Sequence, residues 1–316
     1  MNIKIKKKLG VGFNGTVFLS EVNGIKSITK VEKFDGDMTT KSNYIRQVKF
    51  NELAKQYPEY FLTLVLSGIQ ENCNHKQPMP KQCDKKCAKE FNKKNDLPQC
   101  YILSYVPVLD GTWDSLQRSL SKPLSSKQYC SALFQLITAC NILKKHGYRH
   151  RDIHSKNIMY KLNGNKYRWY LIDYGAIYHK SFTTNRDDKI YDENPPDILS
   201  VLWALANNHI AHHMWENGIK PTPFKQFIKY IQKSDEYTNI KPFLPITKNE
   251  VFISECISLV TMINHYDLYM DAMGMDHVKY KKFHTTQDDP NVLLYIIKHC
   301  TDKTYNQILT YLKNKI

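Results

Sequence analysis

Between His150 and Gly175 the chain reads HRDIHSKNIMYKLNGNKYRWYLIDYG. Two aspartates, Asp152 and Asp173, stand in it with Asn157 between them, each beside short apolar runs that fix a polar side chain in a rigid place. Such a set suits phosphoryl transfer assisted by metal ions. One aspartate can orient an attacking hydroxyl, while the other aspartate and the asparagine are hard oxygen ligands of the kind Mg²⁺ takes on a nucleotide's phosphates.

A second group with chemical potential lies near the N-terminal end. The segment Gly10-Val11-Gly12-Phe13-Asn14-Gly15-Thr16-Val17 is a glycine-rich turn between strands. Glycines there let backbone amides approach phosphate oxygens and accept positive φ at little cost. The same pattern also fits a plain hairpin, and its strand-turn-strand setting disfavours a dinucleotide site of the Rossmann kind. Lys30 ends the strand SITK. It could face phosphates if that sheet lines a cleft, although a solvated strand end also accounts for a lysine. A helix expected from near Ser42 puts Ile45, Val48 and Glu52 on one face. An acid on an apolar helix face is costly unless paired, so Glu52 is expected to pair with Lys30, with Glu59 as the alternative.

The elements that must hold these groups follow from periodicity. Residues 3–30 read as strands, with Val17, Leu19, Ile25 and Ile28 spaced as on a half-buried sheet. FLTLVLSGI and YILSYVP give further strands, the second ended by Pro107. Beyond them the pattern is helical. Ser125 or Ser126 can cap a helix whose stripe is Tyr129, Leu133, Leu136, Ile137, Cys140 and Leu143, stopped at Gly147. Asp197 opens ILSVLWALA, apolar enough to be a helix buried on nearly all sides. Strands first and helices afterwards predict an α+β arrangement with a cleft near Tyr105 to Val108.

Between Glu71 and Gln99 apolar residues nearly vanish, and Cys73, His75, Cys83 and Cys87 appear among lysines and asparagines, with Cys100 just beyond. Tetrahedral Zn²⁺ could organise such a segment; a solvated insertion carrying spare thiols is the other reading. Cys130, Cys140, Cys256 and Cys300 fall in helical stretches and read as core fillers.

Composition bounds the rest. The 316 residues, 42% hydrophobic and 24% charged, are those of an ordinary globular protein able to bury a core without disulfides. No apolar run approaches the ~20 residues of a membrane span, and no secretory signal pattern follows the basic start, so the expected location is intracellular with no membrane partner. Its cysteines are therefore expected to be reduced thiols or metal ligands. The net charge of +15 comes from lysines scattered along the chain. It implies general attraction for polyanions and leaves a nucleic-acid partner open.

Taken together these residues resemble the protein-kinase-like superfamily over about Lys4 to Ala206. Gly10, Gly12, Gly15 and Val17 match its GxGxxGxV loop, Lys30 its phosphate-contacting lysine, and Glu52 the helix glutamate that pairs with it. His150-Arg151-Asp152 matches HRD, Asn157 the catalytic-loop asparagine, and Asp173-Tyr174-Gly175 a tyrosine variant of DFG. The resemblance implies a bilobal fold, with a β-rich N-lobe over 1–106 carrying an insertion at about 71–100 and a helical C-lobe over 107–316. It implies ATP and Mg²⁺ as cofactors, and nucleotide contacts from Gly10, Val11, Gly12, Gly15, Val17, Lys30, Glu52, Tyr105 and Asp173. Asp152 would orient the attacking hydroxyl or accept its proton, Asn157 and Asp173 would hold the metal, and Asp197 would support the HRD backbone.

The chain departs from the family in its substrate region. His154 stands two after Asp152, where a lysine is usual, and HxDxH is similar to divergent and small-molecule phosphotransferases. No APE motif lies between Asp173 and Asp197, where Asn194-Pro195-Pro196 stands, and no arginine follows Arg186 to pair with its glutamate. The C-terminal part is expected to be remodelled. The leading reading is thus a divergent Ser/Thr protein kinase acting on a protein substrate, similar to compact kinases of large DNA viruses. The alternatives are a kinase for small hydroxyl compounds and a pseudokinase scaffold.

Overall fold

The chain is seen in a computed structural model, which describes residues 3–11, 15–34, 38–71, 99–119, 124–182, 197–206, 228–229, 231–246, 250–264, 290–300 and 305–316. It is a mixed α and β fold, with a five-stranded antiparallel sheet in the N-terminal part and helices later. The chain divides into two compact units: Met1–Asp110 with Ile172–Ile177, and Gly111–Leu171 with Tyr178–Ile316.

In the first unit the strands are β1 (Ile3–Val11), β2 (Gly15–Val22), β3 (Ile25–Phe34), β4 (Thr63–Glu71) and β5 (Gln99–Val106), in the order β1-β2-β3-β5-β4. Lys30 stands opposite Val17 on β2 and Leu103 on β5, so these share one face of the sheet. The opposite face holds Phe18, Val31 and Cys100 together with a line of hydroxyls. Ser20 lies 2.9 Å from Ser27 and 2.5 Å from Thr29, whose hydroxyl lies 2.7 Å from that of Ser104. Each hydroxyl can donate and accept, so the row is satisfied although fully buried. The expected phase of β2 and β3 therefore needs correction. Val17, Leu19 and Ile28 lie on the partly open face, Ile25 is exposed, and small polar residues line the buried face.

Helix α1 (Met38–Gln56) packs against this unit through Gln47, Phe50, Leu53 and Ala54, all buried. Tyr44 stacks on Tyr101 with ring centroids 4.4 Å apart.

In the second unit the short strand β6 (Gly111–Thr112) leads into α2 (Trp113–Ser119), and α3 (Ser126–Lys145) forms the core. Ser125 caps α3 in a reciprocal box, accepting from Gln128 N–H at 3.2 Å while Gln128 Oε1 accepts from Ser125 N–H at 3.0 Å. The predicted stripe Tyr129, Leu133, Leu136, Ile137, Cys140 and Leu143 is buried throughout. Strands β7 (Tyr148–Arg149), β8 (Ile158–Asn163) and β9 (Lys166–Leu171) follow. Gln135 ties α3 to β9, donating to Tyr167 O at 3.1 Å and accepting from Trp169 N–H at 3.1 Å. A two-residue strand, β10 (Tyr178–His179), pairs with β7. Helix α4 (Asp197–Ala206) buries Ile198, Leu199, Val201 and Leu202, as its apolar run predicts. Further helices among the described residues include α5 (Glu236–Ile240), α6 (Glu250–Asn264), α7 (Pro290–His299) and α8 (Tyr305–Lys313).

Among the described residues no helix is long and apolar enough to cross a membrane. Cys130, Cys140, Cys256 and Cys300 are free and buried, as core fillers should be. Cys100 is disulfide-bonded, contrary to the expectation that the cysteines are reduced or metal-bound.

Candidate functional site

Within the first unit, Lys30 and Glu32 sit two apart on β3, and the two-residue period of a strand turns both side chains to the same face. The Lys30 ammonium lies 2.6 Å from Glu32 Oε1 and 3.2 Å from Asp173 Oδ2, with side-chain exposures of 20%, 6% and 36% respectively. Burial alone would lower the lysine pKa. The charges of Asp173 and Glu32 more than offset that, so the ammonium is held protonated well above the usual lysine range.

Asp173 adopts φ +63° and ψ +78°, a left-handed conformation that few non-glycine residues take. Its carboxylate accepts from Lys30 and, at 3.4 Å, from the N–H of Gly175. The next residue anchors this turn. Tyr174 is buried, its ring 4.3 Å from that of Phe50, and its hydroxyl accepts the Leu62 N–H at 2.8 Å. A phenylalanine would fill the same pocket but leave that N–H without its partner.

The expected pair between Lys30 and Glu52 is not formed. Glu52 points outward with its side chain 76% exposed and meets Lys55 at 3.4 Å. The helix turns a different face inward, where Gln47 accepts a 2.6 Å hydrogen bond from the hydroxyl of Tyr105. Tyr105, expected to line a nucleotide cleft, is buried against Tyr174 and spends its polar end on Gln47. Burial, with the nearby charge of Asp173, raises its phenol pKa well above the ordinary value.

The glycine-rich segment divides by role. A Cβ on Gly15 would lie 2.4 Å from the backbone oxygen of Val31 and 3.0 Å from Glu32 Cγ, so the strand pairing itself demands glycine there. At Gly10, exposed and paired with Val17 across the ladder, a Cβ would meet nothing within 4 Å, so packing does not demand glycine there. Val11 is exposed and Val17 half-buried; Gly12 lies outside the described residues.

Within the second unit, the turn His150 to Asn157 is fastened at both ends. Asp197 accepts the N–H groups of His150 and Arg151 at 2.8 and 3.3 Å. Arg151 takes φ +69°, and its guanidinium lies 5.9 Å from the centre of the Tyr178 ring. At the other end Asn157 N–H donates to His154 O at 2.8 Å, and its side-chain amide donates to Asp152 O at 2.8 Å and Asp152 Oδ2 at 3.1 Å. One carboxylate oxygen of Asp152 is thus pinned. The other, Oδ1, lies 3.9 Å from His154 Nε2, and both side chains are 49% exposed. His154 Nδ1 accepts the Lys156 N–H at 3.2 Å, which puts the proton of the neutral ring on Nε2, the nitrogen nearer Asp152.

The structure therefore brings together Lys30 with Asp173, and Asp152 with Asn157, and it separates Glu52 from Lys30. Glu32 and Gln47 are the residues that sequence reasoning missed. The signal for Glu32 was present, since i and i+2 on a strand share a face. Among the described residues no group of three or more His, Cys, Asp and Glu side chains is arranged to hold a metal ion. Cys73, His75, Cys83 and Cys87, the candidate zinc ligands, lie outside the described residues.

Searches against protein-family models and against curated proteins give no match.

Proposed function

We propose that this chain is a phosphotransferase of the protein-kinase-like superfamily that passes the γ-phosphoryl group of ATP to Ser or Thr hydroxyls of a protein substrate. The observation that carries the reading is the contact of Lys30 with Asp173, residues 143 apart in sequence whose charged groups meet at 3.2 Å. That is a cation suited to phosphate oxygens held beside a carboxylate suited to a hard metal ion.

The donor types suit Mg²⁺: in the first unit Asp173 offers carboxylate oxygens, and in the second the Asn157 amide nitrogen is committed to Asp152, which leaves its carbonyl oxygen as a ligand. When bound, Mg²⁺ would neutralise charge on the nucleotide's phosphates. Lys30 binds the α and β phosphates as a fixed positive charge. Asp152, oriented by Asn157, accepts a hydrogen bond from the acceptor hydroxyl. As the hydroxyl oxygen bonds to the γ phosphorus, the bond from that phosphorus to the bridging oxygen breaks, ADP leaves, and the hydroxyl proton passes to Asp152 Oδ1.

A second reading, transfer to a small hydroxyl compound, is favoured by His154, which stands beside Asp152 Oδ1 where a lysine is usual. Incubation with radiolabelled ATP and Mg²⁺, in separate arms with mixed proteins and with small hydroxyl metabolites, divides the two. Label in protein, including the chain's own Ser181, supports the first. Label confined to metabolites supports the second, and no transfer in either arm refutes both.

A further inference from the structure

We infer that Glu32, two residues along the same strand, positions Lys30 in place of any carboxylate of helix α1, so that alignment of this lysine is built into the sheet. The inference rests on the phosphotransferase reading for its catalytic meaning, but the pairing it asserts can be measured without that reading.

Three observations converge on Glu32. Its carboxylate is the nearer partner of Lys30, at 2.6 Å against 3.2 Å for Asp173, and it is almost fully buried. Burying a carboxylate without a partner would be costly, so Glu32 and Lys30 each depend on the other. Across the ladder stands Gly15, whose missing side chain is what makes room for Glu32, since a Cβ there would come within 3.0 Å of Glu32 Cγ. Meanwhile the inward-facing helix position is held by Gln47, a neutral side chain already engaged by Tyr105, and Glu52 is turned to solvent. A helix that offers the lysine no carboxylate cannot align it by moving closer.

The distinction matters for regulation. A carboxylate carried on a separate helix makes the ion pair depend on where that helix sits. A carboxylate two residues along the same strand shares the backbone and hydrogen-bond ladder of the lysine, so the pair persists through any motion that leaves β3 paired to β2 and β5. Lys30 is then aligned in the resting protein, and control of activity must act elsewhere than on this pair.

The test compares Glu32→Gln, Glu52→Gln and wild type as full-length chains. Two quantities are read: steady-state transfer from MgATP, and the rate at which Lys30 is acylated by an amine-selective reagent, followed on its peptide by mass spectrometry. Glu32→Gln should raise Lys30 acylation by about tenfold, because the ammonium loses its nearer carboxylate and gives up its proton more readily. It should also lower kcat/KM for ATP by about 100-fold, the loss that misplacement of a binding group by about 1 Å can cause. Glu52→Gln should leave both within about twofold of wild type, the scale of an exposed charge. Should Glu32→Gln fail to fold, Glu32→Asp, which keeps the charge but withdraws it by one methylene, moves both readouts in the same direction by less. The inference is overturned if Glu52→Gln changes Lys30 acylation as much as the Glu32 variant does, or if the Glu32 variant changes neither readout. If wild type transfers no phosphate, the functional reading fails, while acylation still decides which glutamate holds Lys30.

Discussion

The carboxylate of Asp197 accepts the backbone N–H groups of both His150 and Arg151, at 2.8 and 3.3 Å, and so holds a turn in which Arg151 is left-handed. A non-glycine residue in that conformation costs about 1–2 kcal/mol. Asp197→Ala should therefore cost about 3 kcal/mol in urea-induced unfolding, through loss of two charge-assisted hydrogen bonds. Adding Arg151→Gly should return about 1 kcal/mol by removing the strain. No recovery in the double variant would show that the turn is not strained in the way described.

Tyr174→Phe removes the acceptor of the Leu62 N–H while leaving the ring against Phe50. The expected loss is about 1–3 kcal/mol, the cost of a buried donor without a partner. Thermal unfolding measures it, and a stability equal to wild type would mean that water or another group replaces the tyrosine oxygen.

Alkaline pH probes the cluster around Lys30. Its ammonium is held protonated above the ordinary lysine range, burial opposing and the charges of Asp173 and Glu32 prevailing. The Tyr105 phenol is also held protonated, by burial first and then by Asp173. In both cases the folded chain keeps a proton that the unfolded chain gives up near pH 10, so the sign is the same. The stability these groups contribute is complete below about pH 10 and is lost as pH rises through their raised folded values. Unfolding followed from pH 8 to 11 should show stability falling from about pH 10, with a shallower fall in Tyr105→Phe.

The glycines separate structure from ligand. Gly15→Ala forces a Cβ to within 2.4 Å of Val31 O and should destabilise the fold by about 1–3 kcal/mol, as overpacking does. Gly10→Ala meets nothing within 4 Å and should change stability by no more than about 1 kcal/mol. If the backbone at Gly10 approaches a phosphate, the same substitution should raise KM for ATP while the melting temperature stays put.

How plainly each element shows in the sequence depends on the physics that forms it. Helix α3 is legible from its serine cap, expected at Ser125 or Ser126 and found at Ser125, and from the apolar stripe that follows it. Helix α4 was legible from its apolar run alone. Helix α1 was assigned to the wrong face, since Ile45 and Val48 look like a core stripe while the inward side carries the polar Gln47 beside Phe50 and Ala54. The sheet misled in the same way: hydroxyls of Ser20, Ser27, Thr29 and Ser104 satisfy one another in a buried row that no hydropathy pattern marks. Glu32 was hidden by expecting the lysine's partner on a helix, although strand period already placed it beside Lys30.

The central claim is that Asp152 receives a hydroxyl proton while a phosphoryl group leaves ATP, and transfer by Asp152→Asn against wild type tests it most directly. The substitution keeps the size of the side chain and removes its basicity, so the fold and ATP binding should persist while kcat for γ-phosphoryl transfer falls by about 10²–10⁴-fold. Full transfer by the Asp152→Asn chain, or none by a wild-type chain shown to be folded, would contradict the account.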